Sequence, residues 1–474
     1  MRFDGFIGET YQTRSANANA ERCVNLFPEK TGGSGKSPYH YLHTPGLSTF
    51  ITLANSPIRC LWAGDDRLFV VAGAKYGEIL YGGGSPTFQD RGTVVNDGFR
   101  AYIYSNGTQL IIVSGGKLYC DNGGAASGAN AVQQVNSIAG TYLDGYFISL
   151  TPDSNEIRIS DLLNGLSWSA LEKQARLSSH DRVVGIASDK KNLWLFGKRN
   201  IDVWYNSGNS DFPFEPIQGA SIRAGTVIPP TIEDVDNSFF FVMEDERGSA
   251  KVVRTSGFSL ETISTYAIDW QISNTSIYSL CSWSYEENGH PFYVLTEPSG
   301  STSFVYDVRE KLWHERCYWT GTGYLSHLGR CHAYTTPGFS GLAGHHFVGS
   351  RDSSGRVFKQ SMDYFTDAGA AIRRVRQAPH LADNDNWNYY HEFQLDTHVT
   401  GTPDIKLKWS DDDGATWSAD KTPVLTAPTD AKKRVIWRRL GRSRDRIFAV
   451  TLHNISAPVY INDAFLEVEK GTGA

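Results

Sequence analysis

Apolar residues in this chain come in short runs separated by polar turns, and few recur at the spacing of a helix. Through the first 370 residues one unit repeats: an apolar run, a polar turn, an aromatic-rich run, a Gly/Ser turn, a further apolar run. Residues 58–62 lead through Asp65-Asp66 to Leu68-Phe69-Val70-Val71 and then to Ile79-Leu80-Tyr81. Residues 101–104 lead through Asn106-Gly107 to 110–113 and, past Gly115-Gly116, to Leu118-Tyr119. Comparable runs occupy 146–150 with 157–159, 183–186 with 193–196 and 201–205, 239–243 with 251–253, 292–295 with 304–308, and 345–348 with 356–358. Seven units at about 35–55 residues each suit one four-stranded propeller blade apiece, and six is nearly as good a count. The alternative arrangement is a pair of β-sandwiches or a Greek-key stack. Only 169–175 reads as helix.

Beyond 370 the pattern changes. Arg373-Arg374, Arg376 and Pro379 open a polar stretch that runs to Asn388. Alternating strands follow at 391–397, 405–409, 434–438, 447–452 and 464–468, joined by Gly/Asp turns, which predicts a small β-sandwich. The first 50 residues, broken by Pro28, Pro38 and Pro45, read as an irregular arm. The expected organisation is therefore all-β: an arm over 1–50, a propeller of six or seven blades over 51–370, and a sandwich-like domain over 371–474.

Composition sharpens this. The 474 residues include 46 Gly, 24 Phe, 23 Tyr and 12 Trp, the residues of turns and strands, and the glycines lack the three-residue period of collagen. A net charge of -6 argues against a generally basic nucleic-acid coat. The six cysteines are scattered with no C-x-x-C, so reduced, buried thiols are expected rather than a zinc ribbon. No run approaches the roughly 18 apolar residues of a membrane span, and the opening residues lack a signal-peptide core, so synthesis in a cytoplasm without membrane insertion is expected.

Three features invite chemistry. Ser410-Asp411-Asp412-Asp413-Gly414-Ala415-Thr416-Trp417 fits the Asp-box pattern of sialidases. It occurs once, outside the repeats, and reads as a structural turn in which Asp412 accepts turn amides, Gly414 allows positive φ and Trp417 packs over the bend, with Ser410 at its start. The acidic triplet lacks EF-hand spacing, and His327, His332, His345 and His346 match no zinc pattern, so no metal, cofactor or catalytic residue is assigned. There is no nucleophile elbow, P-loop or dinucleotide fingerprint, and no enzyme is indicated. Finally, Lys432, Lys433, Arg434, Arg438, Arg439, Arg442, Arg444 and Arg446 stand against the single acid Asp445. Such a run in an acidic chain implies a partner surface, with Arg434, Arg438, Arg439, Arg442 and Arg444 as candidate interface residues.

Several stretches resemble the packaged-DNA stabilisation, or tail nozzle, proteins of short-tailed bacteriophages. The segment from Tyr11 through Glu21-Arg22-Cys23-Val24-Asn25-Leu26-Phe27-Pro28-Glu29 is similar to that family's opening, as is Thr44-Pro45-Gly46-Leu47. Asp202-Val203-Trp204-Tyr205-Asn206-Ser207-Gly208 resembles a blade strand there, and Arg434 through Arg442 resembles its ending strand. The resemblance implies a structural component of the virion tail built on a β-propeller. Copies would form a homohexameric ring below the portal and its adaptor, extend the DNA channel, retain packaged genome, and dock tail fibres or tailspikes and, in some phages, a tail needle. Contact with genomic DNA would be non-specific and transient. The competing class is a sialidase-like glycan-degrading propeller, which would need clustered acids in a pocket, or a carbohydrate-binding one, which would use exposed aromatics such as Trp194 or Trp204; both Trp residues are read first as core packing.

Overall fold

Seven sheets follow one another around a ring, each built from four antiparallel strand positions, in a computed structural model that describes residues 1–32, 37–124, 128–176, 181–337, 341–399, 404–425 and 432–471. Blade 1 runs from Ile58–Gly64 to Thr87–Thr93, blade 2 from Tyr102–Ser105 to Asn130–Asn136, and blade 3 from Ala139–Leu143 to Lys173–Ala175. Blade 4 runs from Val183–Ser188 to Phe214–Arg223. Blade 5 splits its first strand into Thr226–Val227 and Glu233–Val235 and ends at Ser259–Thr262. Blade 6 runs from Cys281–Glu287 to Leu312–Trp319. Blade 7 takes Gly329–Thr335, His345–Ser350 and Arg356–Ser361 from its own stretch and borrows Gly46–Thr52 as its outer strand. The repeat count of seven thus stands, and six does not.

Why these runs are apolar without alternation follows from the packing. Each blade buries both faces, so every gap between neighbours carries its own hydrophobic cluster. Phe69, Val71 and Tyr76 of blade 1 meet Ile103, Leu110 and Ile112 of blade 2. Trp194 and Phe196 of blade 4 meet Phe239 and Phe241 of blade 5. Ile58, Leu68 and Val70 of blade 1 meet Ala333, Phe347 and Val357 of blade 7, which closes the ring. Tight two-residue turns join the strands, as at Asn288-Gly289 with φ 53° and 77°, values that suit Asn and Gly. All six cysteines are buried and unpaired.

The expected helix at 169–175 does not form. Lys173–Ala175 is instead the outer strand of blade 3, paired with Glu156–Ile159. Leu171, the only large apolar side chain there, is 86% exposed, so a helix would have had no face to bury. A helix forms at Tyr266–Ser273, where the Thr265 side chain accepts from the Ile268 amide and Ala267, Ile268 and Ile272 are buried. Ile268 and Ile272 join the cluster between blades 5 and 6.

Strands between Arg374 and Lys470, joined by strands from the first 50 residues, form two facing sheets, the sandwich. One sheet orders Leu26–Lys30, Tyr39–His43, Val459–Lys470, Asn388–Val399 and Lys432–Arg438. The facing sheet carries Ala20–Val24, Arg374–Gln377, Asp445–His453 and Asp404–Ser410. Between them lie Phe393, Leu395, Leu407, Trp437, Phe448 and Val450. The first 50 residues are thus more than an arm: they supply strands to both sandwich sheets and to blade 7. Ala20–Val24 also touches blade 6, where Val24 pairs in parallel with Glu315, so one hydrogen-bonded sheet runs from blade 6 into the sandwich.

Side chains fasten this joint. The Arg22 guanidinium meets the Glu315 carboxylate at 2.5 Å, and Thr10 donates to the same carboxylate at 2.7 Å. Asn25, at φ 55°, donates to the carbonyls of Cys317 (2.9 Å) and Arg373 (2.8 Å) and accepts from the Cys317 amide (2.9 Å). Buried Arg316 of blade 6 donates to Gln360 of blade 7 at 3.0 Å and to the Pro45 carbonyl at 2.8 Å. At Gly46 a Cβ would lie 2.4 Å from the Tyr364 carbonyl oxygen, so only glycine fits where the borrowed strand enters. Leu47 follows it into the core between blades 6 and 7. Leu47→Ala should lower stability in denaturant titration by about 2–4 kcal/mol, whereas Leu325→Ala, at an exposed site, should stay within about 0.5 kcal/mol.

Candidate functional site

The basic run divides into three groups. Arg446 turns inward: it is buried, its guanidinium grips Asp411 through two hydrogen bonds of 2.6 and 2.7 Å, and it lies over the rings of Tyr390 and Trp409. Arg434, Arg438 and Arg444 are exposed but engaged within the domain, by Gln394 at 2.6 Å, Glu392 at 2.9 Å and Asp385 at 2.9 Å respectively. Arg439 and Arg442 point outward with no carboxylate partner among the described residues. Arg439 adopts φ 60° at the end of Lys432–Arg438, and Arg442 stacks 4.5 Å over the Trp387 ring, which Arg444 also covers at 5.1 Å. The side chains of Lys432 and Lys433 lie outside the described residues. Strand alternation puts Arg434 and Arg438 on one face of the strand, while Val435 and Trp437 enter the core.

The turn at 410–417 is tied by its own side chains. Ser410 donates to Asp412 at 2.7 Å, the Thr416 amide donates to Asp412 at 2.8 Å, and the Gly414 amide donates to the Ser410 hydroxyl at 2.8 Å. Trp417 donates its ring N–H to the Gly414 carbonyl at 3.1 Å and lies under the Lys408 ammonium at 4.4 Å. The Thr416 hydroxyl, the largest influence, holds the Asp412 carboxyl below its ordinary range. Gly414 sits at φ 87°. Asp411, the neighbour of this bend, is the residue that reaches Arg446.

In the propeller, Trp194 and Trp204 are buried, and Trp194 donates to Asp189 at 2.9 Å, so neither offers a sugar platform. The inner strands enclose a cavity of about 440 Å³ lined by Tyr102, Tyr104, Glu233 and Asp234. Arg100, beside blade 2, crosses it to Glu233 of blade 5 at 2.5 Å and to the Ser282 carbonyl of blade 6 at 3.0 Å, which braces the ring across its centre. Both groups are spoken for by each other, and no free acid–base pair remains between them.

Histidines gather at the seam of blades 6 and 7. His332 and His346 share a hydrogen bond of 2.9 Å, and His332 stacks on Trp283. Burial, reinforced by Arg316 and His290, holds His314 down to about 3. Burial together with His346 holds His332 down to about 3, and burial together with His345 holds His346 down to about 4. A base with a lowered folded pKa takes up a proton on unfolding between that value and its unfolded pKa near 6.5. Stability from these imidazoles is thus fully present above about pH 6.5 and lost as pH falls, by roughly 2 kcal/mol per group at pH 5. Asp367, which burial pushes up to about 6, titrates with the opposite sign. Denaturant titration at pH 7 and pH 5 should therefore show a smaller acid loss in His346→Gln than in the unaltered chain. Asp411→Ala, which strips the carboxylate from buried Arg446, should cost about 1–3 kcal/mol, and Arg439→Ala should change stability by less than about 0.5 kcal/mol.

Two family models match almost end to end. The model described as bacteriophage P22 Gp10, beta-propeller, matches residues 7–357, and that described as bacteriophage P22 Gp10, beta-sandwich, matches 373–469. No curated protein matches the chain. Among solved structures, the N-terminal domain of Nup159 aligns with TM-score 0.44 at 8% identity over 71% of this chain and 98% of its own. YCF48 from Cyanidioschyzon merolae aligns with TM-score 0.42 at 13% identity over 66% and 98%. The WD40 domain of Toxoplasma gondii coronin aligns with TM-score 0.39 at 9% identity over 71% and 85%. Likenesses so distant carry nothing about function. The two family matches, meeting at the boundary between the ring of blades and the sandwich, show that the chain belongs to the bacteriophage P22 Gp10 family of structural proteins that stabilise packaged DNA.

Proposed function

We propose that the chain is the nozzle subunit of a short phage tail. Copies form a closed homohexameric ring below the portal and its adaptor, extend the DNA channel, and hold the packaged genome in place. The outer flanks of the ring carry tail fibres or tailspikes, and a tail needle plugs its far end in phages that have one. The proposal rests on family membership together with one observation: in an acidic chain, Arg439 and Arg442 stand outward with no carboxylate partner among the described residues, Arg442 over Trp387, on a domain joined to the propeller by a shared sheet.

The physics favours such a role. A propeller fused to a sandwich through a shared sheet is a stiff block, and a closed ring of stiff blocks leaves open interfaces only above and below. DNA in transit needs exclusion and weak contacts, because many phosphate-binding cations would oppose ejection. The outward arginines therefore meet a carboxylate-bearing surface of a neighbouring subunit or of the adaptor.

The test is a charge reversal. Arg439→Glu with Arg442→Glu should leave the purified chain folded, because neither side chain has a carboxylate partner among the described residues. Imaging of the chain mixed with its portal–adaptor complex should then show rings lost or failing to attach. Intact rings on particles that merely leak DNA would sink the assignment of these arginines to a protein contact.

A further inference from the structure

We propose that His380, Asp413 and Asp445 bind a divalent transition-metal ion. One ligand atom from each lies within 4.8 Å of the others, although the residues come from the connector after Arg374–Gln377, the turn at 410–417 and the strand Asp445–His453. Sequence spacing could not reveal this, because the third aspartate of the triplet meets its partners only in the folded sandwich.

The hydrogen bond on the far side of the imidazole carries the argument. His380 Nε2 lies 2.7 Å from the Ala16 carbonyl oxygen, which can only accept, so Nε2 carries a hydrogen. His380 Nδ1 lies 2.9 Å from both oxygens of Asp445. A bare nitrogen lone pair cannot rest against a carboxylate, so either a proton or a metal ion stands between them. A ring N–H donated to a backbone carbonyl, with the other nitrogen facing carboxylates, is the usual setting of a metal-binding imidazole. A separation of 2.9 Å is that of neighbouring ligands about 2.0–2.1 Å from one ion at right angles.

Charge selects between the two. Asp413, held at φ 59°, has no hydrogen-bond or ion-pair partner among the described residues, although arginines are close by in sequence. Those arginines are engaged elsewhere: Arg446 by Asp411 and Arg444 by Asp385. A single proton on His380 leaves two carboxylates facing one positive charge, whereas a doubly charged ion balances both. One imidazole with two carboxylates suits Zn²⁺ or Mn²⁺ better than Ca²⁺ or Mg²⁺, which prefer all-oxygen sites. Bound there, the ion pins the connector, the turn and, through Ala16, the first segment of the chain to one point.

Equilibrium dialysis of the chelator-treated full chain against Zn²⁺ or Mn²⁺ tests this. One equivalent should bind per chain, and a thermal melt at saturating metal should rise by on the order of 2 °C. Asp413→Asn should abolish both effects while leaving the metal-free melting temperature unchanged, because Asp413 has no partner to lose among the described residues. Binding that survives in Asp413→Asn, or no stoichiometric binding at all, overturns the proposal and leaves His380 and Asp445 as an ordinary ion pair. A rise as large with Ca²⁺ or Mg²⁺ overturns the assignment to a transition metal.

Discussion

A fully buried guanidinium at the junction of the two domains governs how the rest is arranged. Arg376 donates to the carbonyls of Phe6 at 2.6 Å and Gly5 at 2.9 Å, reaches those of Glu9 and Arg22, and pairs with the Glu21 carboxylate. Stranding such a charge without partners costs several kcal/mol. These hydrogen-bond and ion-pair partners all come from residues 5–22, with the Tyr41 ring 5.9 Å from the guanidinium, while Arg376 itself lies in the sandwich sheet. The sandwich therefore cannot settle until the start of the chain has been laid across it. That segment is also the strand against blade 6, so propeller and sandwich are locked by the same event.

The same dependence sets the closure of the ring. Blade 7 remains a three-stranded sheet until Gly46–Thr52 arrives from more than 300 residues away in sequence. Pairing at such separation carries a large loop-closure cost and comes late in folding. Once made, it leaves no exposed sheet edge at the join, and the two domains become one cooperative body rather than beads on a linker. A structural protein that stabilises packaged DNA is well served by that stiffness.

What the sequence disclosed, and what it hid, follows from which contacts are local. Strands buried on both faces write their position directly as apolar runs, so Leu68-Phe69-Val70-Val71 and Phe239-Phe240-Phe241-Val242 were legible without any partner in view. The alternating strands of the sandwich were legible for the complementary reason. The opening segment was opaque because its strands are short, are broken by proline, and, beyond the local pairs of Tyr11–Gln12 with Ala20–Val24 and of Leu26–Lys30 with Tyr39–His43, find their partners past residue 310. Its motifs were nonetheless recognisable, and the structure explains what they do. Glu21, Arg22 and Asn25 bind the joint, and Pro45-Gly46-Leu47 thread the closing strand. The false helix at 169–175 came from propensity alone, which an edge strand's pairing overrode. The His380 cluster left no trace in spacing, because it unites three distant segments.

The basic run shows how far a charge count misleads until side chains are placed. Eight cations within fifteen residues suggest a field able to grip phosphate, yet Arg446 is an internal brace and three others are held by neighbours. What remains outward among the described residues is a pair, Arg439 and Arg442, one of them held flat against Trp387. Grip on a polyanion scales with the number of phosphates neutralised, so two cations give little retention and little salt dependence. A pair of which Arg442 is fixed in direction by an aromatic floor suits a carboxylate presented at one place by a folded surface, where geometry rather than total charge decides the match. The basic run therefore supports the proposed protein contact through Arg439 and Arg442 better than a grip on DNA.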